Sequence, residues 1–421
     1  MDSDQNHKIR TLWLSGLLHA FTHIYHVALL PLYLLIQADF KLASVGQATL
    51  LMTVMMAGYF IPSYPMGILA DRVSRKKLLG YGLAINGLGF VGLSIAPNYA
   101  WALASMVLAG FGGSFYHPAA TAMVARLFPT GTGKALGLVG VGASIGFFIG
   151  PVYSGWRAET AGWRAPVLEL GLLGIIVAAL FGWLANEQPA PKAADEIKRS
   201  EEKMFATPAL WLFFIGMCFA FSMRDFAGTG MGSLGSLFLQ NARGFTLKET
   251  GLALSCIFIA SVVSNPLFGH LSDRGRIRWT CLVLVIAAIV MAIFPHVPRG
   301  WIIPAFLVYG FFFMASYPMI EAALMESVPD EVRGRVFGFF ITVGGLIGNL
   351  SHWLVGKWVK GLGTAANEPA AYFPMYGLLA LLVLLSLIGL PCLHAIRKRE
   401  EEIDPNVGAT PASVLRTPHS P

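Results

Sequence analysis

Charge is what this chain most lacks. Of its 421 residues only 13% are Asp, Glu, Lys or Arg, while 55% are hydrophobic. A soluble domain carries about 25% charged residues. The deficit excludes the two or three water-facing domains that length alone would suggest, and the expected solvent is lipid. Cysteine is scarce too. Cys218, Cys256, Cys281 and Cys392 all fall in apolar stretches, without metal-ligand or disulfide-framework spacing. They read as small core residues. No Gly-x-x-x-x-Gly-Lys-Ser/Thr loop is present, so nothing points to a nucleotide-driven pump. No cleavable leader is evident either. The start, MDSDQNHKIR, is polar, and the apolar run from Thr11 to Ile36 is too long for one. The net charge of +7 sits in short clusters between apolar runs, which is how membrane topology is written, so nucleic acid is not an expected partner.

What is present is a series of apolar runs long enough to cross a bilayer, which takes about 20 residues. They lie near 11–36, 46–70, 77–96, 100–128, 134–156 and 163–186, then 209–239, 247–271, 277–295, 301–328, 333–358 and 371–395. The predicted fold is therefore all-α and integral to the membrane, with twelve transmembrane helices. An N-terminal six-helix bundle (1–186) and a C-terminal one (209–398) flank a charged, proline-containing linker (187–208). A polar tail (399–421) reads as disordered. Most of the 30 Lys and Arg residues fall on the side that holds both termini, the linker and the tail. By the positive-inside rule that side is cytoplasmic. The expected location is the inner (plasma) membrane.

The halves echo each other about 200 residues apart, as internal repeats of transporters do. Gly67-Ile-Leu-Ala-Asp71-Arg72 matches Gly269-His-Leu-Ser-Asp273-Arg274. Pro118 matches Pro318, and Gly133-Lys-Ala-Leu-Gly137 matches Gly334-Arg-Val-Phe-Gly338. The first motif continues through Arg75, Lys76 and Lys77. Gly67 would allow close helix approach, and Asp71 would pair with a basic group or a helix end. In the fifth helix Gly137, Gly146, Gly150 and Pro151 form a packing face with a bend.

The loop motif resembles the signature of the major facilitator superfamily, and helix number, central linker and duplication resemble it over nearly the whole chain. The Gly146-x-x-x-Gly150-Pro151 run is similar to a motif of drug/proton antiporters in that superfamily. His19-Ala-Phe-Thr-His23, the stretch from Pro31 to Phe40, and Gly110-Phe-Gly-Gly-Ser-Phe-Tyr-His117-Pro118 resemble fosmidomycin-resistance-type exporters. In those, a carboxylate commonly stands four residues after the first-helix histidine. Here His23 stands there, which leaves the coupling ion open. The resemblance implies a central cavity lined by helices 1, 4, 7 and 10, and a conformational switch at Gly67, Asp71, Arg72, Arg75, Asp273 and Arg274.

Ionisable groups at bilayer depth are expensive and mark functional paths. Here His19, His23, His26, His117, Arg224, Asp225 and Glu321 fall on helices 1, 4, 7 and 10. His19, His23 and His26 share a helix face. His19, His23 and Glu321 are the expected proton-coupling groups. Arg224 demands an anion, either a substrate carboxylate or phosphonate or a fixed partner. Because neighbours on a helix point apart, Asp225 is expected to serve a different partner. Asp225, His26, His117, Tyr25, Tyr116 and Tyr317 complete the expected substrate site. The chain reads as a monomeric, proton-coupled exporter of a small anionic or polar molecule, with no cofactor and no resident metal. The alternatives are a carrier of a transition metal or its chelate, with His117 or Glu321 completing a histidine site, a membrane enzyme, and a non-transporting receptor.

Overall fold

In the computed structural model, residues 3–129, 131–187, 204–273, 275–329 and 332–403 are described, the side chains of 3, 4, 71 and 133 excepted. The described residues are almost all in helices joined by short turns. In order come α1 (Ser3–Val27), α2 (Tyr33–Asp39), α3 (Val45–Arg72), α4 (Arg75–Ser94), α5 (Tyr99–Gly113), α6 (Tyr116–Leu127), α7 (Thr132–Ala161) and α8 (Arg164–Leu184). The second half holds α9 (Pro208–Arg243), α10 (Leu247–Ile259), α11 (Ser261–Ser272), α12 (Arg276–Ile293), α13 (Ile302–Glu326), α14 (Arg333–Gly361), α15 (Phe373–Leu385) and α16 (Gly389–Ile403). Joined end to end where broken (α1–α2, α5–α6, α10–α11, α15–α16), they make twelve spans, six in each half.

Among the described residues, 10 helices are long and apolar enough to cross a membrane. The other two spans fall short for readable reasons. Span 3 (α4) carries Asn86 and a series of glycines, and span 4 is cut in two at Ser114–Phe115. Both interruptions near the site obey one rule: a proline ring clashes with the carbonyl four residues earlier. Pro31 stands four residues after Val27, where α1 ends, and Pro118 four after Ser114, where span 4 breaks.

Within the first half, span 1 lies along span 5, span 3 along span 6 and span 2 against span 4; in the second, span 7 lies along span 11 and spans 8 and 9 against span 10. The duplication is structural. A Cβ on Gly110 would sit 1.9 Å from the Met55 carbonyl oxygen, and one on Gly310 1.9 Å from that of Ile257. Span 4 on span 2 and span 10 on span 8 thus approach backbone to backbone at equivalent positions.

The halves meet through spans 2 and 11 and spans 5 and 8. The junction is tight at the end remote from the termini. Thr53 donates to the Asn349 carbonyl at 2.8 Å, Ser255 to that of Phe148 at 2.6 Å, and Ser236 to that of Leu30 at 2.5 Å. Phe147 stacks on Phe258, ring centroids 4.7 Å apart. Toward the other end Gly137, Gly140, Gly334 and Gly338 meet nothing within 4 Å. The hydrogen bonds that join the halves thus gather toward the end remote from the termini, the clamped end.

One boundary differs from the sequence reading. The last helix continues through Ile403, so 399–403 are helical rather than disordered; Arg397 pairs with Glu401 at 2.7 Å, one turn on. Most of the linker (188–203) and of the tail (404–421) lies outside the described residues.

Candidate functional site

The first polar cluster is built where span 1 approaches its proline break and span 4 restarts after its own. The face of α1 carries His19, His23 and His26, and the first turn of α6 delivers Tyr116 and His117. The His19 ring lies 4.8 Å from that of His23 and 5.3 Å from that of His117, and stacks on Tyr116 at 4.8 Å. His19 Nδ1 is 3.0 Å from the Val139 carbonyl oxygen, so it carries the hydrogen and donates. His23 Nε2 lies 3.1 Å from His19 Nε2. His23 Nδ1 is buried and has no hydrogen-bond partner among the described residues. His26 stands edge-on to His23 at 5.0 Å and to Tyr59 at 4.8 Å. The four histidines predicted as functional are thus brought together.

The two tyrosines assigned to substrate in this half do otherwise. Tyr25 is fully buried; its hydroxyl donates to the Leu170 carbonyl at 3.0 Å and its ring packs on Phe90 at 4.2 Å. It ties span 1 to spans 3 and 6, away from the histidines, because two residues past His23 is about 200° around the helix. The Tyr116 hydroxyl donates to the Ser15 carbonyl at 2.9 Å, so Tyr116 holds span 4 to span 1 and supports His19 with its ring face.

The second cluster lies on spans 7 and 10. Arg224, only 1% exposed, donates from Nε and Nη2 to Asp225 Oδ1 at 3.0 and 2.8 Å. This corrects the expectation of separate partners. The Cβ vectors do diverge, but the long guanidinium stem folds back to its neighbour, since in a buried site the nearest carboxylate outweighs the torsional cost. The guanidinium carbon lies 3.9 Å from the Tyr317 ring centroid, a cation–π contact. Arg224 Nη1 has no hydrogen-bond partner among the described residues. Asp225 packs where span 11 turns glycine toward it, since a Cβ on Gly344 would fall 2.5 Å from Asp225 Oδ2. Glu321 lies one turn after Tyr317, within electrostatic reach of Arg224 and Asp225. No hydrogen bond or ion pair engages it among the described residues.

A third set was marked in the sequence only at His352, a secondary candidate among the ionisable groups at bilayer depth, and at Tyr33, a tyrosine that could shape the cavity. His352 Nδ1 lies 2.6 Å from Ser233 Oγ, which lies 3.2 Å from the Tyr33 hydroxyl, and His352 Nε2 meets Asn349 Oδ1 at 3.1 Å. Thr229 and Ser351 hydroxyls meet at 2.6 Å. His26 and His352 feel each other electrostatically, so this chain of hydroxyls joins the halves beside the histidines. Its only sequence signal is polar residues inside apolar runs.

The loop and packing motifs divide. A Cβ on Gly146 would fall 2.1 Å from the Ala20 carbonyl oxygen, while Gly150 lies against Ile24, so these residues seat span 5 on span 1. Pro151 instead faces Gly251 of the other half, and Gly137 faces open space. Gly67 has only the Pro118 ring at 3.7 Å, ordinary contact, so close approach does not require a glycine there in this conformation. The start of α4 is held by Glu187, which accepts from the Arg75 amide at 2.7 Å and from the Ser74 hydroxyl. The Asp71 side chain and Arg274 lie outside the described residues, and Arg72 is exposed. In the second copy Arg276 bonds Glu326 and also reaches Asp273 at 3.4 Å.

The Major Facilitator Superfamily profile matches residues 12–351. Among curated proteins the chain is 26% identical over 305 residues to the multi-drug resistance efflux pump PmrA of Streptococcus pneumoniae, covering 70% of this chain and 75% of that one. It is 23% identical over 347 residues to the fosmidomycin resistance protein of Escherichia coli K12, covering 79% and 82%. Among solved structures, a bacterial homolog of the human lysosomal transporter Spinster superposes with a TM-score of 0.73 at 16% identity, covering 96% of this chain and 99% of that one. The chain is a membrane transporter and not an enzyme, and it belongs to the Major Facilitator Superfamily.

Proposed function

We propose that this protein exports a small polar or anionic organic molecule in exchange for protons, by alternating access, with both termini cytoplasmic. One observation carries the coupling: Glu321 is a carboxylate with no hydrogen bond among the described residues, beside the buried Arg224–Asp225 pair, whose Nη1 hydrogens remain for it to accept. Ionised, Glu321 competes with Asp225 for the guanidinium. Protonated, it leaves Arg224 to Asp225 alone. Two alternative pairings on spans 7 and 10 make the two-state element that a proton can bias. Of the expected proton-coupling groups His19, His23 and Glu321, the last is the one with such an alternative pairing beside it, so proton exchange is assigned to Glu321 and the histidine face lines the path. The hydrogen bonds gathered at the clamped end support an access state closed there and open toward the side of the termini. The excess of Lys and Arg there supports that side as cytoplasmic.

The test is flux in proteoliposomes under an imposed pH gradient, with fosmidomycin, the compound in the Escherichia coli relative's name, as the probe. Glu321→Gln is expected to abolish acceleration by the gradient while retaining exchange of probe for probe. Arg224→Ala is expected to lose both. Gradient-driven flux persisting in Glu321→Gln would remove Glu321 from the coupling role.

A further inference from the structure

We infer that His19, His23 and His117 form a binding site for one late first-row divalent cation of the Zn²⁺ class. Each ring offers a nitrogen, and the three atoms lie within 4.8 Å of one another. The expected span between nitrogens on a tetrahedral zinc with bonds of 2.0–2.1 Å is about 3.4 Å. His19 Nε2 and His23 Nε2 already stand 3.1 Å apart. The three offered nitrogens have to close by about 1.4 Å at most to reach that span.

The surroundings point the same way. Ligating histidines characteristically donate their second N–H to a carbonyl, which fixes the tautomer and aims the other nitrogen. His19 does so through Nδ1 to Val139, leaving its Nε2 lone pair facing His23. Without an ion, one N–H has to lie between the two Nε2 atoms, and His23 Nδ1 is left as a bare buried acceptor. With an ion, both Nε2 lone pairs are used, and Nδ1 carries a hydrogen for water or an incoming group. The donor set is all imidazole, with no thiolate or carboxylate in the cluster. That selects zinc, copper, nickel or cobalt over magnesium and calcium.

Three ligands leave the fourth position open. His26 and Tyr59 pack against the cluster, and the Tyr59 hydroxyl is likewise buried without a partner among the described residues. Three neutral imidazoles leave the 2+ charge uncompensated, so an anion from solution or carried by a substrate belongs in that position. The inference is one of binding and stands whether or not the proposed direction and proton coupling hold.

Its test uses the full chain in detergent, free of any polyhistidine tag, with Zn²⁺ alone as the titrant. Calorimetry is expected to give one ion per chain. His23→Ala and His117→Ala are each expected to weaken binding by about 100-fold or more, since second-shell losses alone cost up to about 100-fold. His296→Ala, whose ring packs on Phe373 in the other half, is expected to bind as wild type. Absence of stoichiometric binding, or equal binding by the His23 and His117 variants, overturns the inference. X-ray absorption of the Zn²⁺-loaded wild type decides even where a variant misfolds. An imidazole-rich, four-coordinate shell upholds the site, and an all-oxygen shell overturns it.

Discussion

Gly155→Ala should open the clamped end of this protein. Gly155 on span 5 meets span 8 across the junction of the halves, and a Cβ there would sit 2.3 Å from the Leu247 carbonyl oxygen. Ordinary carbon–oxygen contact is about 3.3 Å, so the two spans have to separate by about 1 Å. The atom in the way is backbone and cannot swing aside. Overpacking of this size costs about 1–3 kcal/mol. The cost falls on the state in which this end is closed and is absent when it is open. At 1.4 kcal/mol per factor of ten, the open state gains about 5- to 150-fold. Thr49 reports this, being fully buried with its hydroxyl 2.2 Å from where a Gly356 Cβ would lie. In a background without the native cysteines, Thr49→Cys should react slowly with a membrane-impermeant thiol reagent applied from the clamped side. Adding Gly155→Ala should speed the reaction at least about fivefold. Gly110→Ala is the control. It clashes by more, at 1.9 Å from the Met55 oxygen, but inside one half, and it should lower the melting temperature without changing Thr49→Cys reactivity. Equal reactivity with and without Gly155→Ala, in folded protein, would refute the reading of this junction as the closed gate.

Two further outcomes follow from the site. Tyr25→Phe should cost about 1 kcal/mol of stability, the worth of its one hydrogen bond to Leu170, and leave flux unchanged; lost flux at full stability would return Tyr25 to the substrate path. Asp225→Asn strips the buried Arg224 of its bonded carboxylate and should destabilise by about 3 kcal/mol, the low end for a broken buried pair, because Glu321 stands within reach. Thermal unfolding in detergent reads this, and adding Glu321→Gln should deepen the loss well beyond the single variants' combined effect. Simple additivity would mean that Glu321 does not share Arg224.

The architecture was legible because lipid leaves the backbone few choices. A run of apolar residues has to close its own hydrogen bonds as a helix, so composition nearly dictates the spans. Proline adds a sharper rule, and the ends of α1 at Val27 and of α5 just before Ser114 could have been placed from Pro31 and Pro118 alone. Duplication was legible from Pro118 and Pro318 and the paired loop motifs, and Gly110 and Gly310 show its physical root, the same backbone contact made twice. The site was legible only as far as one helix reaches. Spacing put His19, His23 and His26 on one face, and the same spacing would have excluded Tyr25, had its angle from His23 been weighed against its chemistry. His117 joins them through tertiary packing that no local pattern encodes.

Arg224 marks the limit of reasoning from helix geometry. Adjacency on a helix separates Cβ atoms, and for short side chains that settles the matter. A guanidinium on a three-carbon stem explores a sphere wide enough to return to its neighbour, and where it settles depends on which carboxylates share its solvent-poor surroundings. In water Arg224 would have no reason to choose Asp225. In this bundle, with Tyr317 covering one face and Glu321 the other carboxylate in reach, the choice lies between two partners one residue and one helix away. On the mechanism proposed above a proton decides between them, so the pair that sequence geometry disfavoured is the one on which transport is proposed to turn.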